Sequence, residues 1–243
     1  MILLYSVIHL VYVAVVTIGW MLFDKRPDFR KYWLITAVIG SVCTIAFDFA
    51  GVVIFQFWRY FSSNEWEYIA ISFSTYVVAT PLFIEVTGYL IRWLAKFRLS
   101  FGIKNLNYFT YVGLILFSGL LGLSAVVVTL VQGKGYGWLF FITAFVALLL
   151  FSDGVLGLAG KKGVVTLALE GSILSPLAIV LSGLICGMIW EILNTALPLW
   201  QFTNVPTENL LGVPLVVFLF WGTLNLAYWT VAELFFSKYK ILR

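Results

Sequence analysis

Charge is what this sequence has least of. Only 11% of its 243 residues are Asp, Glu, Lys or Arg, against about 25% in an ordinary soluble domain. Water cannot wet so apolar a surface, which excludes a soluble globular protein and makes lipid the solvent. Histidine occurs once, at His9, and cysteine twice, at Cys43 and Cys186, both within apolar stretches. These few residues supply no disulfide framework, no zinc spacing and no C-x-x-C pair. They also supply no Ser–His–Asp or Cys–His arrangement for hydrolysis. No metal site and no cofactor are expected. The Gly133, Gly135, Gly137 cluster lacks the strand and helix context of a phosphate-binding loop and reads as a tight turn. The formal charge of +4 does not point to nucleic acid, because the cations lie in loops on one side of the chain.

What is present is apolar and aromatic: 62% hydrophobic residues, with 22 Phe, 12 Tyr and 10 Trp. A membrane span needs about 20 apolar residues. Seven runs qualify, at 2–23, 33–57, 68–94, 108–132, 136–152, 174–194 and 211–236. The expected fold class is therefore an all-α integral membrane protein of about seven transmembrane helices. The first run begins at residue 2 without a basic leader, so it is expected to be a true span and not a cleaved signal peptide. The stretch 164–175, with Glu170 and Ser175 before Pro176, either extends the sixth span or forms a separate half-helix.

The loop charges orient the chain. Lys25, Arg26, Arg30 and Lys31 precede the second span, and Arg92, Lys96, Arg98 and Lys104 follow the third. Lys161 and Lys162 follow the fifth, and Lys238, Lys240 and Arg243 end the chain. Thirteen of the 15 cations thus fall on one side, leaving Arg59 and Lys134 on the other. Basic loops stay in the cytoplasm. The expectation is an N-terminus outside, a C-terminus inside and a cell-membrane location, the cytoplasmic membrane if the chain is bacterial.

A short internal repeat is visible. Phe47-Asp48 is followed by Gly51 and then Trp58-Arg59-Tyr60; Trp190-Glu191 is followed by Asn194 and then Trp200-Gln201-Phe202. Each acid precedes a Trp-x-aromatic motif by nine or ten residues, and each motif leads into a further span. Spans one to three and five to seven are read as two parallel three-helix repeats, 1–97 and 134–243, joined by the fourth helix within 98–133. Together they make a single transmembrane domain, 1–243. Paired repeats place binding sites where the halves meet.

Four acids fall inside the spans: Asp48, Glu85, Glu191 and Glu233. A charge deep in a bilayer costs about 2.5–3.5 kcal/mol on insertion scales. Such acids either transfer protons and bind polar headgroups, or hydrogen-bond neighbouring helices. Asp48, Glu191 and Glu85 are the catalytic candidates; Glu233, near the inner end, can pair with Lys238. The candidate substrate-binding residues are His9, Trp58, Arg59, Tyr60, Trp190, Asn194, Trp200 and Phe202. His9 could pair with an acid, ligate a chlorin or haem, or sit hydrogen-bonded at the interface. Arg59 suits a lipid phosphate or an aromatic ring. Gly183-x-x-x-Gly187 suits close helix contact, and the stiff loop from Pro198 to Pro206 suits a lid.

The order of these features resembles the lycopene cyclase domain family. Tyr5-x-x-x-His9-Leu10, the basic first loop and an acid followed by Trp-x-aromatic in each half carry the likeness. The segment Val213-Pro214-Leu215-Val216-Val217-Phe218-Leu219-Phe220 is similar to the family's Pro-x-Glu-Glu motif, with Ile71-Ser72-Phe73-Ser74-Thr75-Tyr76 at the corresponding place in the first half. The family's paired glutamates are Ser74 and Thr75 here, and Val216 and Val217. The resemblance therefore implies the fold and a long isoprenoid or carotenoid-like lipid, bound or isomerised by cofactor-independent acid–base chemistry at Asp48 and Glu191, not lycopene cyclisation itself. Two readings compete. A three-plus-one-plus-three layout also suits a proton-coupled small-solute transporter, although no Pro-Gln motif is present. A non-catalytic subunit of a larger membrane assembly, or of a homo-oligomer, needs only an exposed aromatic face. A rhodopsin is excluded, because no lysine lies between Val213 and Leu234 to form a retinal Schiff base.

Overall fold

The computed structural model describes residues 29–61, 65–94, 96, 107–132, 138–196, 198–205, 209–210 and 212–236, with six positions between 11 and 22. Those six positions are helical. The rest of the first predicted span, His9 included, lies outside the described residues. In chain order the elements are α1 (Phe29–Phe49), a π-helical turn (Ala50–Ile54), β1 (Trp58–Tyr60), α2 (Glu65–Leu94), α3 (Tyr108–Gln132) and α4 (Trp138–Leu158). They continue with α5 (Val164–Leu169), α6 (Leu174–Ala196), β2 (Trp200–Phe202), β3 (Asn209–Leu210), β4 (Val213–Pro214) and α7 (Leu215–Phe236). Six helices among the described residues are long and apolar enough to cross a membrane. The chain is a polytopic membrane protein.

Most predicted spans match these helices, and the mismatches have physical causes. The span expected at 136–152 runs on to Leu158, so Asp153 lies inside α4 and is fully buried. Its carboxylate accepts hydrogen bonds from the Val165 and Thr166 amides, at 2.7 and 3.2 Å, and from the Thr166 hydroxyl at 2.7 Å. It thereby satisfies the orphan amides that open α5. The stretch 164–175 is not an extension of the sixth span. α5 ends at Leu169, and the chain turns through Gly171 at φ 101°. Pro176 instead occupies the first turn of α6, where a missing amide costs nothing. Glu170, at the end of α5, pairs with Lys162 at 2.6 Å. The last span begins at Leu215 and not at 211, because the chain first forms the β3–β4 hairpin.

The chain divides into two compact units: Met1–Leu82 with Ile189–Pro214, and Phe83–Met188 with Leu215–Arg243. In the first unit, Trp33 and Ala37 of α1 pack against Val77 of α2. A methyl group at Gly40 would meet the Thr80 hydroxyl at 1.9 Å, so the glycine lets these helices touch.

In the second unit, α4 packs against α3 and α7. Gly119 of α3 approaches the Phe151 backbone so closely that a Cβ would lie 2.3 Å from its amide nitrogen. Gly183 and Gly187 of α6 seat Trp221 of α7 in the same way: added Cβ atoms would lie 2.5 Å from its carbonyl and 2.2 Å from its ring. The Gly-x-x-x-Gly spacing is thus a packing device. The Asn225 amide, fully buried, donates to the Ile179 carbonyl and the Ser182 hydroxyl, each at 2.6 Å, and to the Thr87 hydroxyl at 3.1 Å. Such side-chain bonds hold helices together where lipid offers no hydrophobic driving force.

Candidate functional site

Within the first unit, the two Trp-x-aromatic motifs meet. β1 and β2 pair antiparallel, with Trp58 opposite Phe202, Arg59 opposite Gln201 and Tyr60 opposite Trp200. The ribbon is extended by the Phe61 amide on the Leu199 carbonyl at 2.9 Å and the Thr203 amide on the Phe57 carbonyl at 2.7 Å. Each strand follows the C-terminal end of a long helix by a short turn. After α1 the exit runs through the π turn and then Gln56 at φ 53°. After α6 the exit is fixed by Asn194. Its Oδ1 accepts from the Leu199 and Trp200 amides at 2.9 and 3.1 Å, and its amide donates to the Trp200 carbonyl at 3.1 Å.

Asp48 stands in the last turn of α1, before the π turn, and is 1% exposed. Five side chains donate to it. The Trp58 indole, the Tyr60 hydroxyl and the Tyr76 hydroxyl reach Oδ1 at 2.9, 3.0 and 3.3 Å. The Tyr68 and Ser72 hydroxyls reach Oδ2 at 2.9 and 2.6 Å. Gly51 makes the indole contact accessible, since a Cβ there would lie 2.1 Å from the Trp58 ring. Both oxygens are enclosed, and no face of the carboxyl is left for a substrate. What the arrangement does is tie β1 to α2 through α1. Burial first, and then the Asp48 carboxylate, hold the Tyr60 and Tyr68 phenols well above their ordinary value of 10.0.

The cavity lies elsewhere in the same unit. It encloses about 500 Å³ between the end of α6, the ribbon and the β3–β4 hairpin. Glu191, Asn194 and Thr195 line it from α6, Trp200, Gln201 and Phe202 from β2, and Phe61 from the end of the first strand. Gly212, at φ 81° in the hairpin turn, closes the third side. Glu191 is 2% exposed and is the charged member of this wall among the described residues. Asp48 does not line this cavity. The Tyr60 ring, which donates to Asp48, packs against the cavity-lining Trp200 ring, with centroids 6.2 Å apart. Aromatic rings thus stand between the two acids.

The remaining candidates are dispersed. Trp190 is buried on α6 beside Glu191 but does not line the cavity. Arg59 is exposed, donates to Gln201 at 3.0 Å, and lies over the Phe61 ring at 5.9 Å. Glu85 is buried in α2, on the portion of that helix belonging to the second unit. Sequence reasoning named Asp48 without its hydroxyl donors on α2. Ser72 and Tyr76 recur at intervals of four from Tyr68, a helical stripe that was legible. Asp153, Thr87, Ser182 and Asn225 were also missed; isolated polar residues in apolar runs carried the signal for each.

No family model, no curated protein and no solved structure matches this chain.

Proposed function

We propose that this membrane protein binds the polar end of a long-chain lipid in the cavity beside Glu191, leaving the hydrocarbon in the bilayer. One observation carries the reading. A cavity of about 500 Å³ with a carboxyl, an amide and aromatic rings in its wall sits at the end of a membrane-length helix, where headgroups meet protein. Its volume suits a headgroup and not a whole polyene. The isoprenoid class suggested by the sequence resemblance enters as one lipid to be tested. Any proton transfer in this reading belongs to Glu191, because Glu191 lines the cavity and Asp48 does not.

Mass spectrometry of lipid co-purifying with the protein tests the proposal. Wild-type protein is expected to retain a defined lipid class through detergent exchange. Glu191→Gln loses it by about tenfold, the effect of one charge-assisted hydrogen bond. Glu170→Gln, which alters the contacts to Lys162 and Tyr111 and does not line the cavity, keeps it. Wild-type protein carrying only the bulk lipid mixture would overturn the assignment.

A further inference from the structure

We propose that the cavity recognises an amine–phosphate zwitterion, with the ligand's ammonium group against Glu191 and its phosphate toward Arg59. This deepens the lipid-binding reading and rests on it. Among the described residues that line the cavity, Glu191 is the one charged residue, and none is Lys or Arg. Phe61, Trp200 and Phe202 also line it. A carboxylate beside aromatic faces is the chemistry that holds an ammonium ion, since ring faces present negative potential and the carboxylate supplies the counter-charge. A phosphate in that position would face a like charge.

The cation that a phosphate needs lies at the rim. Arg59 is tied to two members of the cavity wall: its Nη2 donates to the Gln201 side chain at 3.0 Å, and its guanidinium covers the Phe61 ring at 5.9 Å. Strand pairing fixes this placement, because Arg59 and Gln201 are directly opposed in the β1–β2 register. A guanidinium presents five donors in a planar fork; the bond to Gln201 occupies one edge, and the exposed remainder can meet phosphate oxygens. One carboxylate inside and one guanidinium at the rim therefore match a headgroup with its cation at the tip and its anion nearer the tail.

The same chemistry occurs in a phosphoethanolamine lipid and in free phosphoethanolamine. Binding is measured on wild-type protein in detergent with four probes: a phosphoethanolamine lipid, its N-acetylated form, a phosphoglycerol lipid and a glycosyl-glycerol lipid. The amine lipid is expected to bind at least about tenfold tighter than the other three, and free phosphoethanolamine is expected to compete only at far higher concentration, because it lacks the tail. Glu191→Gln abolishes the preference over the N-acetyl lipid, whereas Arg59→Gln weakens all three phospholipids together and Arg59→Lys partly restores them. Equal binding of the amine and N-acetyl lipids overturns this inference while leaving lipid binding intact. Tighter binding of the glycosyl lipid overturns it in favour of a polyol headgroup. Failure of all four lipids overturns the parent reading as well. Competition by free phosphoethanolamine at the same concentration as the lipid identifies a soluble ligand and removes the lipid from the proposal.

Discussion

Tyr68 illustrates what Asp48 does to its neighbours. Its phenol donates to Oδ2 at 2.9 Å, so ionising it would set a phenolate against a carboxyl group already crowded by four other donors. Burial is the larger part of the penalty. The folded-state value is raised above the unfolded one near 10.0. The protonated phenol therefore contributes stability that is fully present below pH 10, and that contribution is lost as pH rises through the folded value. Tyr60 behaves alike, for the same two causes. Alkaline titration of the folded protein, read by phenolate absorbance, is expected to give coincident curves for wild type and Tyr68→Phe until unfolding begins. An extra ionisation near pH 10 in wild type, missing from Tyr68→Phe, would show that the Asp48 cluster is open to water. The acid itself was legible as a lone carboxyl in an apolar run. Its role was not, because a hydrogen-bonding hub and a proton donor look the same until the donors around them are placed.

At the scale of elements, the exits from α1 and α6 carry the specificity of the fold. Ten residues separate Asp48 from Trp58, and nine separate Glu191 from Trp200. Helical structure after the acid runs to Ile54 in the first case and to Ala196 in the second, which is one residue longer in the first. A π turn is what one extra residue makes of an α-helix, and Ala50–Ile54 is π-helical. The odd spacing was visible in the sequence; its conversion into a π turn followed by strand pairing was not, because neither three-residue strand has a periodicity to read. Gly51→Ala tests the geometry of this exit. The new methyl would lie 2.1 Å from the Trp58 ring, and displacing that ring removes a donor from Asp48. A loss of about 1–3 kcal/mol is expected from the overpacking alone, seen as a lower melting temperature with altered tryptophan fluorescence. Gly113→Ala on α3 meets nothing within 4 Å and is expected to gain about 0.5–1 kcal/mol from helix propensity. If the two alanine variants melt together, the close approach at Gly51 is not what fixes the ribbon.

For the molecule as a whole, hydropathy located the helices because a bilayer demands length and apolarity together, and α3 shows how far that goes. The expected 108–132 coincides with Tyr108–Gln132, on a helix that turns Phe109, Leu114, Phe117 and Val131 outward. Where a buried carboxylate decided the course of the chain, at Asp153, and where backbone pairing did, at the hairpin before Leu215, hydropathy misplaced the boundaries. Orientation is a separate physical question, and the cations supply an expectation for it. Lys25 to Lys31 lie before and within the first turn of α1, whereas the ribbon follows its far end, so the loops and the ribbon belong on opposite sides of a bilayer. Moving the basic loops across would cost more than moving the ribbon, whose strands carry Arg59 alone among the cations. The expectation is therefore a ribbon and cavity facing outward. With Cys43 and Cys186 replaced by alanine, Thr203→Cys on the exposed end of the ribbon should react with a membrane-impermeant maleimide in intact cells, and Lys161→Cys only after lysis. The reverse pattern would place the Glu191 cavity on the cytoplasmic leaflet and change which lipids can reach it. Labelling of both positions in intact cells would mean that the chain takes two orientations, and that the charge asymmetry does not decide its insertion.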